Sequence, residues 1–530
     1  MRSLRQGGRA ALRPIGIQPE FGAVFELCPL LESTARPGAC RGPLLDSSNA
    51  LSLRLAESDN RAVNSEAAYL FRHALLRDAA YQLQLPGNRA NLHALAFGII
   101  EALHGGRAPE PPPLNSDDAP ALPSHPTDGV ALELAEHARL AMGDGEGLQA
   151  ESLLYLRRAA EYMERVFRGD DSASAWQALA PALRGTPKGE ALRRAGAALR
   201  QVGRGEQAER TFVQALAIFR EVGDRRSEGL VLGNLAGIHH ETGRAEQAER
   251  TYGQALAIHR EVGNRRFEGV TLTNLATLYH ATGRIEQAER TFGDALAILR
   301  DTGNRRFEGG TLGNLAILYH ETGRVEEAER LFVQALAIHR EVGDRLAEGP
   351  TLGNLAALYQ VARQVELSER TFEHALRILR ETANRRSEGL ALGSLASLYQ
   401  NTGRLAEAER TYVQALAIHR EVGNRPSEGI ALGNLAGVYH DTGRVEEAEQ
   451  TFRRALAIHR EVGHRRFEGL HQCDVAICLL VLKHPREARA AWLQGAAILE
   501  TLRDSQGLQQ VTAGMRKACA DAGAPPFDQA

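Results

Sequence analysis

The chain is 530 residues long, more than one compact core accommodates, so it holds several domains or an internal repeat that grows in one direction. Its formal net charge of −3, from 63 basic and 66 acidic residues, excludes the global basic field that draws a protein to nucleic acid or anionic lipid. Five cysteines, odd in number and scattered (Cys28, Cys40, Cys473, Cys478, Cys519), exclude a disulfide-stapled secreted domain. With no apolar run of signal-peptide or transmembrane length, the expected location is cytoplasmic.

Residues 1–60 carry Gly and Pro breaks without a sustained period and are expected to be poorly ordered. Residues 61–105 turn helical and form a small helical unit, broken at Pro86-Gly87. Residues 106–129 contain Pro109, Pro111, Pro112, Pro113, Pro120, Pro123 and Pro126 among acids, the composition of a stiff linker. A helical region, 130–188, follows, with helices expected over 130–142 and 148–167.

From 189 to 508 the sequence repeats at a step of 40, seen in Leu232-Gly-Asn-Leu-Ala236 and again at Leu312, Leu352 and Leu432. A second block, Ala-Leu-Ala-Ile, recurs with it, with Ala375-Leu-Arg-Ile as the lone variant. Eight units result, the last degenerate, and 509–530 supplies a closing helix and tail. In the unit 309–348, Leu312, Leu315, Ala316 and Tyr319 share one helical face, and Gly323 stops that helix. Ala328, Phe332, Ala335 and Leu336 line a second helix that ends at Gly343, and Asp344 is placed to cap the next one. Two short helices cannot bury their apolar stripe alone, so the units stack into a superhelical α-solenoid and the fold is all-α.

Leu312, Leu315, Ala316, Tyr319, Ala328, Phe332 and Ala335, with their equivalents in six more units, resemble the tetratricopeptide repeat family in the longer form found in kinesin light chains and cell-polarity adaptors. The resemblance implies a right-handed superhelix, with the extra residues lengthening the second helix and the loop. Tyr69 to Leu103, including Phe71-Arg-His-Ala-Leu-Leu-Arg-Asp-Ala-Ala-Tyr81, is similar to the helical segment that follows the nucleotide-binding domain of bacterial signal-transduction ATPases. None of the three lysines sits in a Gly-Lys-Ser/Thr sequence, so no Walker A loop is present and ATP hydrolysis is not expected.

In this family ligands lie on the concave surface lined by the first helices, and the resemblance assigns a contact role to the Asn before the recurring Leu. That place holds Asn234, Asn274, Asn314, Asn354, Ser394 and Asn434. An amide both donates and accepts, which suits capture of an extended backbone. Gly233, Gly313, Gly353, Gly393 and Gly433 stand one place earlier, either to admit a ligand backbone or to let helices pack closely. His240, His280, His320 and His440 recur six residues after the Asn row, interrupted by Gln360 and Gln400; they are candidate ligand contacts or simply solvated. The spacing of His471, Cys473, Cys478 and His484 fits no standard zinc pattern, so no metal and no cofactor is expected. Arg and Glu rows, such as Glu249, Arg250 and Arg260, read as solvated helix faces.

No catalytic motif emerges, and the chain is expected not to be an enzyme. The leading reading is a scaffold that binds a partner peptide or helix. The alternative is the regulatory or sensor arm of a bacterial signalling system whose NTPase, kinase or transcription regulator lies on another chain. Expected partners are proteins or peptides rather than nucleic acid or membrane, and a homo-oligomer is compatible with both readings. The fifth unit departs from the rest, with Val361-Ala-Arg-Gln364, Pro350 and Ala383 where others keep glycine turns, so strained or loosened turns and altered curvature are expected near 361–384.

Overall fold

The computed structural model describes residues 84–114, 122–141, 148–166 and 168–527. The expected N-terminal segment 1–60 lies outside them. Among the described residues the chain is all-α, with no strand. It divides into two compact units, Met1–Gly263 and Asn264–Ala530.

In the first unit, α1 (Pro86–Leu103), α2 (Ala131–Leu140) and α3 (Gln149–Arg165) enclose a core around Phe97, Leu134 and Tyr155. Arg158 on α3 is fully buried, which a guanidinium tolerates only when its donors are matched. It pairs with Asp128 at 2.8 Å and donates to the carbonyls of Pro109 (3.1 Å) and Pro123 (3.0 Å). The described parts of the Pro-rich stretch are thereby held against α3. Next come α4 (Gly169–Leu179) and the pairs α5 (Gly185–Gln201) with α6 (Gly205–Val222) and α7 (Arg225–Glu241) with α8 (Ala245–Glu261), over a core including Trp176, Phe212 and Phe219.

The second unit holds six pairs and a closing helix. The first helices are α9 (Arg265–Ala281), α11 (Arg305–Glu321), α13 (Arg345–Val361), α15 (Arg385–Asn401), α17 (Arg425–Asp441) and α19 (Arg465–Val481). Their partners are α10 (Ile285–Asp301), α12 (Val325–Glu341), α14 (Val365–Glu381), α16 (Leu405–Glu421), α18 (Val445–Glu461) and α20 (Pro485–Thr501), with α21 (Ser505–Asp521) last. Small residues permit the close approach: Ala316, Ala328 and Ala335 have no exposure, and Phe332 is buried among them. Each pair packs on the next, the arrangement of an α-solenoid of tandem repeats.

The 40-residue period resolves into two helices of 17 residues joined by three-residue turns. The two helices are equally long, and the turn after the second, expected to be lengthened, is no longer than the turn after the first. Each turn is set by chemistry legible in the sequence. Gly323 (φ 78°) and Gly343 (φ 66°) adopt the left-handed conformation, and the Asp344 carboxylate accepts from the Ala347 amide at 3.2 Å, capping α13. In the fifth unit Arg363 (φ 57°) and Ala383 (φ 51°) take the same conformation without being glycine. The turn bonds persist: Gln364 N donates to Tyr359 O at 2.9 Å, matching Arg324 N to Tyr319 O at 2.8 Å. These turns are strained rather than loosened.

The acidic rows are not all solvated, contrary to the sequence reading. Glu308, Glu348, Glu388, Glu428 and Glu468 are buried, each near the start of a first helix. Glu348 accepts from Arg340 of the preceding helix pair (2.7 Å) and from Arg345 (2.6 Å), which also reaches Glu381 (2.6 Å). Burial alone would raise the Glu348 pKa, but the hydrogen bonds from Arg340 and Arg345 outweigh it and hold it below the usual carboxylate range. Glu428 is held down in the same way by Arg420 and Arg425.

Candidate functional site

The first helices of the second unit keep one stripe out of the core. In α11 it runs through Gly310, Gly313, Asn314, Ile317 and His320, at the spacing of one helical face. Adjacent first helices touch along it. The Thr273 and Thr311 hydroxyls are 2.8 Å apart, His280 Nε2 lies 2.8 Å from the Glu321 carboxylate, and the Gln400 amide donates to Asp441 at 3.1 Å.

Asn274 is exposed, and Asn314, Asn354, Ser394 and Asn434 are half-buried. Asn274, Asn314, Asn354 and Ser394 make no side-chain hydrogen bond among the described residues, so their donors and acceptors are available to a ligand. Asn434 differs in lying against the Tyr412 hydroxyl. Asn234 and His240, in the first unit, are half-buried on α7.

The preceding glycines separate into two kinds. A Cβ added at Gly313, Gly353 or Gly393 would meet nothing within 4 Å, so helix packing does not demand glycine there. The same holds for Gly233 in the first unit. At Gly433 the His471 ring occupies the space, so that position does serve packing. Thr273 takes the glycine's place in α9 and is buried, its hydroxyl on the Gly269 carbonyl at 3.1 Å.

The histidines are half-buried rather than solvated, and they are not equivalent. His280 is tied to Glu321, and His440 lies 3.7 Å from Asp441. His320 faces the unit in which Val361 replaces the acid, and burial lowers its pKa, with Glu321 opposing. Cys473, Cys478 and Cys519 are buried, and burial pushes the Cys473 and Cys478 thiols up to about 12. No group of three or more His, Cys, Asp or Glu that could hold a metal ion is present among the described residues. Nor is any helix there long and apolar enough to cross a membrane.

Two rows escaped the sequence reading. Gly269, Gly309, Gly349, Gly389, Gly429 and Gly469 start the first helices and are the close-packed glycines. Each lies under the residue 30 positions on: a Cβ at Gly309 would fall 2.9 Å from His339 Cε1, and one at Gly349 2.8 Å from Leu379 Cδ2. The second row is the set of histidines they receive. His339, His419 and His459 are buried, and among the described residues the Nδ1 of each has no hydrogen-bond partner. Burial lowers the pKa of all three, His459 to about 4. The clue was present in the alternation of Ala-Ile-His-Arg with Ala-Ile-Leu-Arg, since a position that accepts Leu is a core position.

No curated protein matches the chain by sequence. Among solved structures, a signal transduction ATPase with a tetratricopeptide repeat sensor from Pyrococcus horikoshii shares its fold, with a TM-score of 0.52 at 14% identity over 82% of this chain and 67% of that one. The quorum sensor NprR from B. thuringiensis aligns at 15% identity over 62% of this chain and 96% of its own, with a TM-score of 0.45. Nearly identical repeats of a Podosopora anserina kinesin light chain align at 23% identity over 36% and 95%, with a TM-score of 0.31. The tetratricopeptide repeat pattern itself matches residues 188–261, 227–301, 308–381, 387–461 and 427–501, more than half of the sequence. With the helix pairs, the left-handed glycine turns and the small-residue contacts already described, this establishes that the chain belongs to the tetratricopeptide repeat family.

Proposed function

We propose that the chain is a protein-interaction scaffold that works by binding rather than by chemistry, and that it takes an extended peptide segment of a partner protein along the stripe of its first helices. One observation carries this reading. Gly313, Gly353 and Gly393 leave open space beside Asn314, Asn354 and Ser394, whose polar groups have no partner among the described residues. Glycine in a helix interior costs about 1 kcal/mol relative to alanine. A row of such glycines that packing does not require is explained by a ligand backbone approaching there, with the amides pairing to its N–H and C=O groups.

A pull-down with the full chain, comparing wild type with Asn274, Asn314 and Asn354 all changed to Ala, tests it. Partners recovered by wild type are expected to be lost or strongly depleted. Recovery of the same partners at undiminished level refutes the stripe as the binding surface.

A further inference from the structure

The fifth unit carries a second surface, on its other helix. At four exposed or half-buried places α14 departs from every other unit: Leu367 replaces Gln or Glu, Glu373 replaces Val, Gly, Arg or Leu, His374 replaces Gln, Asp or Arg, and Arg377 replaces Ala; a fifth departure, Ser368 for Ala, is buried and donates to the Ala356 carbonyl. Leu367, His374 and Arg377, with Arg370, fall at the spacing of one helical face. All four departures line a single cleft of about 560 Å³ between α12 and α14, whose floor is the buried apolar surface of Leu336, Leu352 and Leu355. Independent drift on a solvated helix would not place four changes around one depression.

The lining has a definite chemistry. Val333 and Leu367 rim the cleft and stay 51% and 42% exposed, an apolar anchor site that no described residue fills. Arg370 and Arg377 are exposed and form no ion pair among the described residues, whereas Arg340 at the same cleft is held by Glu348. Two uncommitted guanidiniums beside an apolar rim match a ligand with carboxylates flanking one apolar side chain. The cleft is open to solvent, so it would not enclose most of a small molecule as ligand pockets do. A nucleic-acid backbone is disfavoured by the apolar floor, which a sugar-phosphate chain has no apolar side chain to fill.

We propose that the α12–α14 cleft is a docking site for an acidic peptide segment of a partner protein, with Arg370 and Arg377 pairing its carboxylates and one leucine- or phenylalanine-like side chain seated between Val333 and Leu367. This surface lies on the second helices. It stands whether or not the Asn stripe binds.

The test uses the full chain and fluorescein-labelled peptides of roughly a dozen residues, each with Leu or Phe flanked by Asp and Glu, beside matched peptides carrying Asn and Gln instead. The key variant is L367E/E373V/H374Q/R377A, which installs the residues the preceding unit has at Glu327, Val333, Gln334 and Ala337 and should therefore fold. Its helical circular dichroism and melting serve as the check. Fluorescence anisotropy is expected to show acidic peptides binding wild type, with affinity falling about tenfold or more in the reverted variant and for the uncharged peptides. The proposal is overturned if no acidic peptide binds at about 1 mM, if the folded reverted variant binds as well as wild type, or if uncharged peptides bind equally.

Discussion

Gly309 and Gly313 stand four residues apart on α11, yet replacing each with alanine should move stability in opposite directions. Both changes gain helix propensity, about 1 kcal/mol. At Gly313 nothing lies within 4 Å of the new methyl, so G313A keeps the whole gain. At Gly309 the methyl would sit 2.9 Å from His339 Cε1 and 3.1 Å from Ile338 Cγ2, closer than carbon atoms tolerate. The His339 ring is itself buried. Overpacking of this kind costs about 1–3 kcal/mol, so G309A should come out between neutral and about 2 kcal/mol destabilised. Repeat arrays often unfold in segments, so a single global transition would blur the difference. Hydrogen exchange of α11 and α12 amides resolves it: G313A should slow exchange by roughly fivefold, and G309A should leave it unchanged or speed it. Equal shifts in the same direction would refute the division of the glycines into packed and open kinds. The triple variant G313A/G353A/G393A carries the contrast to function, since it should be more stable than wild type and bind partner peptide less well.

Arg363 and Ala383 hold left-handed turns that glycine would hold without strain. R363G and A383G should each raise the denaturation midpoint by the equivalent of about 0.5–1 kcal/mol, after allowing for the greater freedom of glycine in the unfolded chain, whereas G323A should lower it. A decrease for either glycine variant would show that these turns are unstrained. His339 and His419 are buried with folded pKa values below the ordinary 6.5, chiefly through desolvation, so the unfolded chain takes up protons first as pH falls. Their contribution is present above about pH 6.5 and lost on acidification below it. The double change H339L/H419L, to the residue other units use at Leu299 and Leu379, should therefore shrink the fall in melting temperature between about pH 7 and about pH 5. An unchanged fall would place the titration elsewhere.

The fold was legible because its signals are local and repeated. The spacing of Leu312, Leu315, Ala316 and Tyr319 marks a helix face, and Gly343 followed by Asp344 marks an end and a beginning. The candidate site was legible as a row of residue types but not as an environment. Gly309 and Gly313 look alike in sequence, and only the residue 30 positions on, brought back across a turn, distinguishes them. Glu348 reads as one more surface acid because a charge pattern does not reveal that Arg340 and Arg345 converge on it beneath the surface. The fifth unit's departures were visible singly. Their convergence on one cleft required α12 and α14 to be placed side by side.

The buried glutamates also give the array a direction. Glu348 depends on Arg340, which comes earlier in the chain, and Glu388, Glu428 and Glu468 depend likewise on Arg380, Arg420 and Arg460. A fragment that begins at a first helix would therefore strand its leading carboxylate with half its cations, while one that ends after a second helix leaves no such debt. Trimming from the front should be harsher than trimming from the back. During synthesis the same asymmetry is helpful, because each first helix leaving the ribosome finds the arginine it needs already folded behind it.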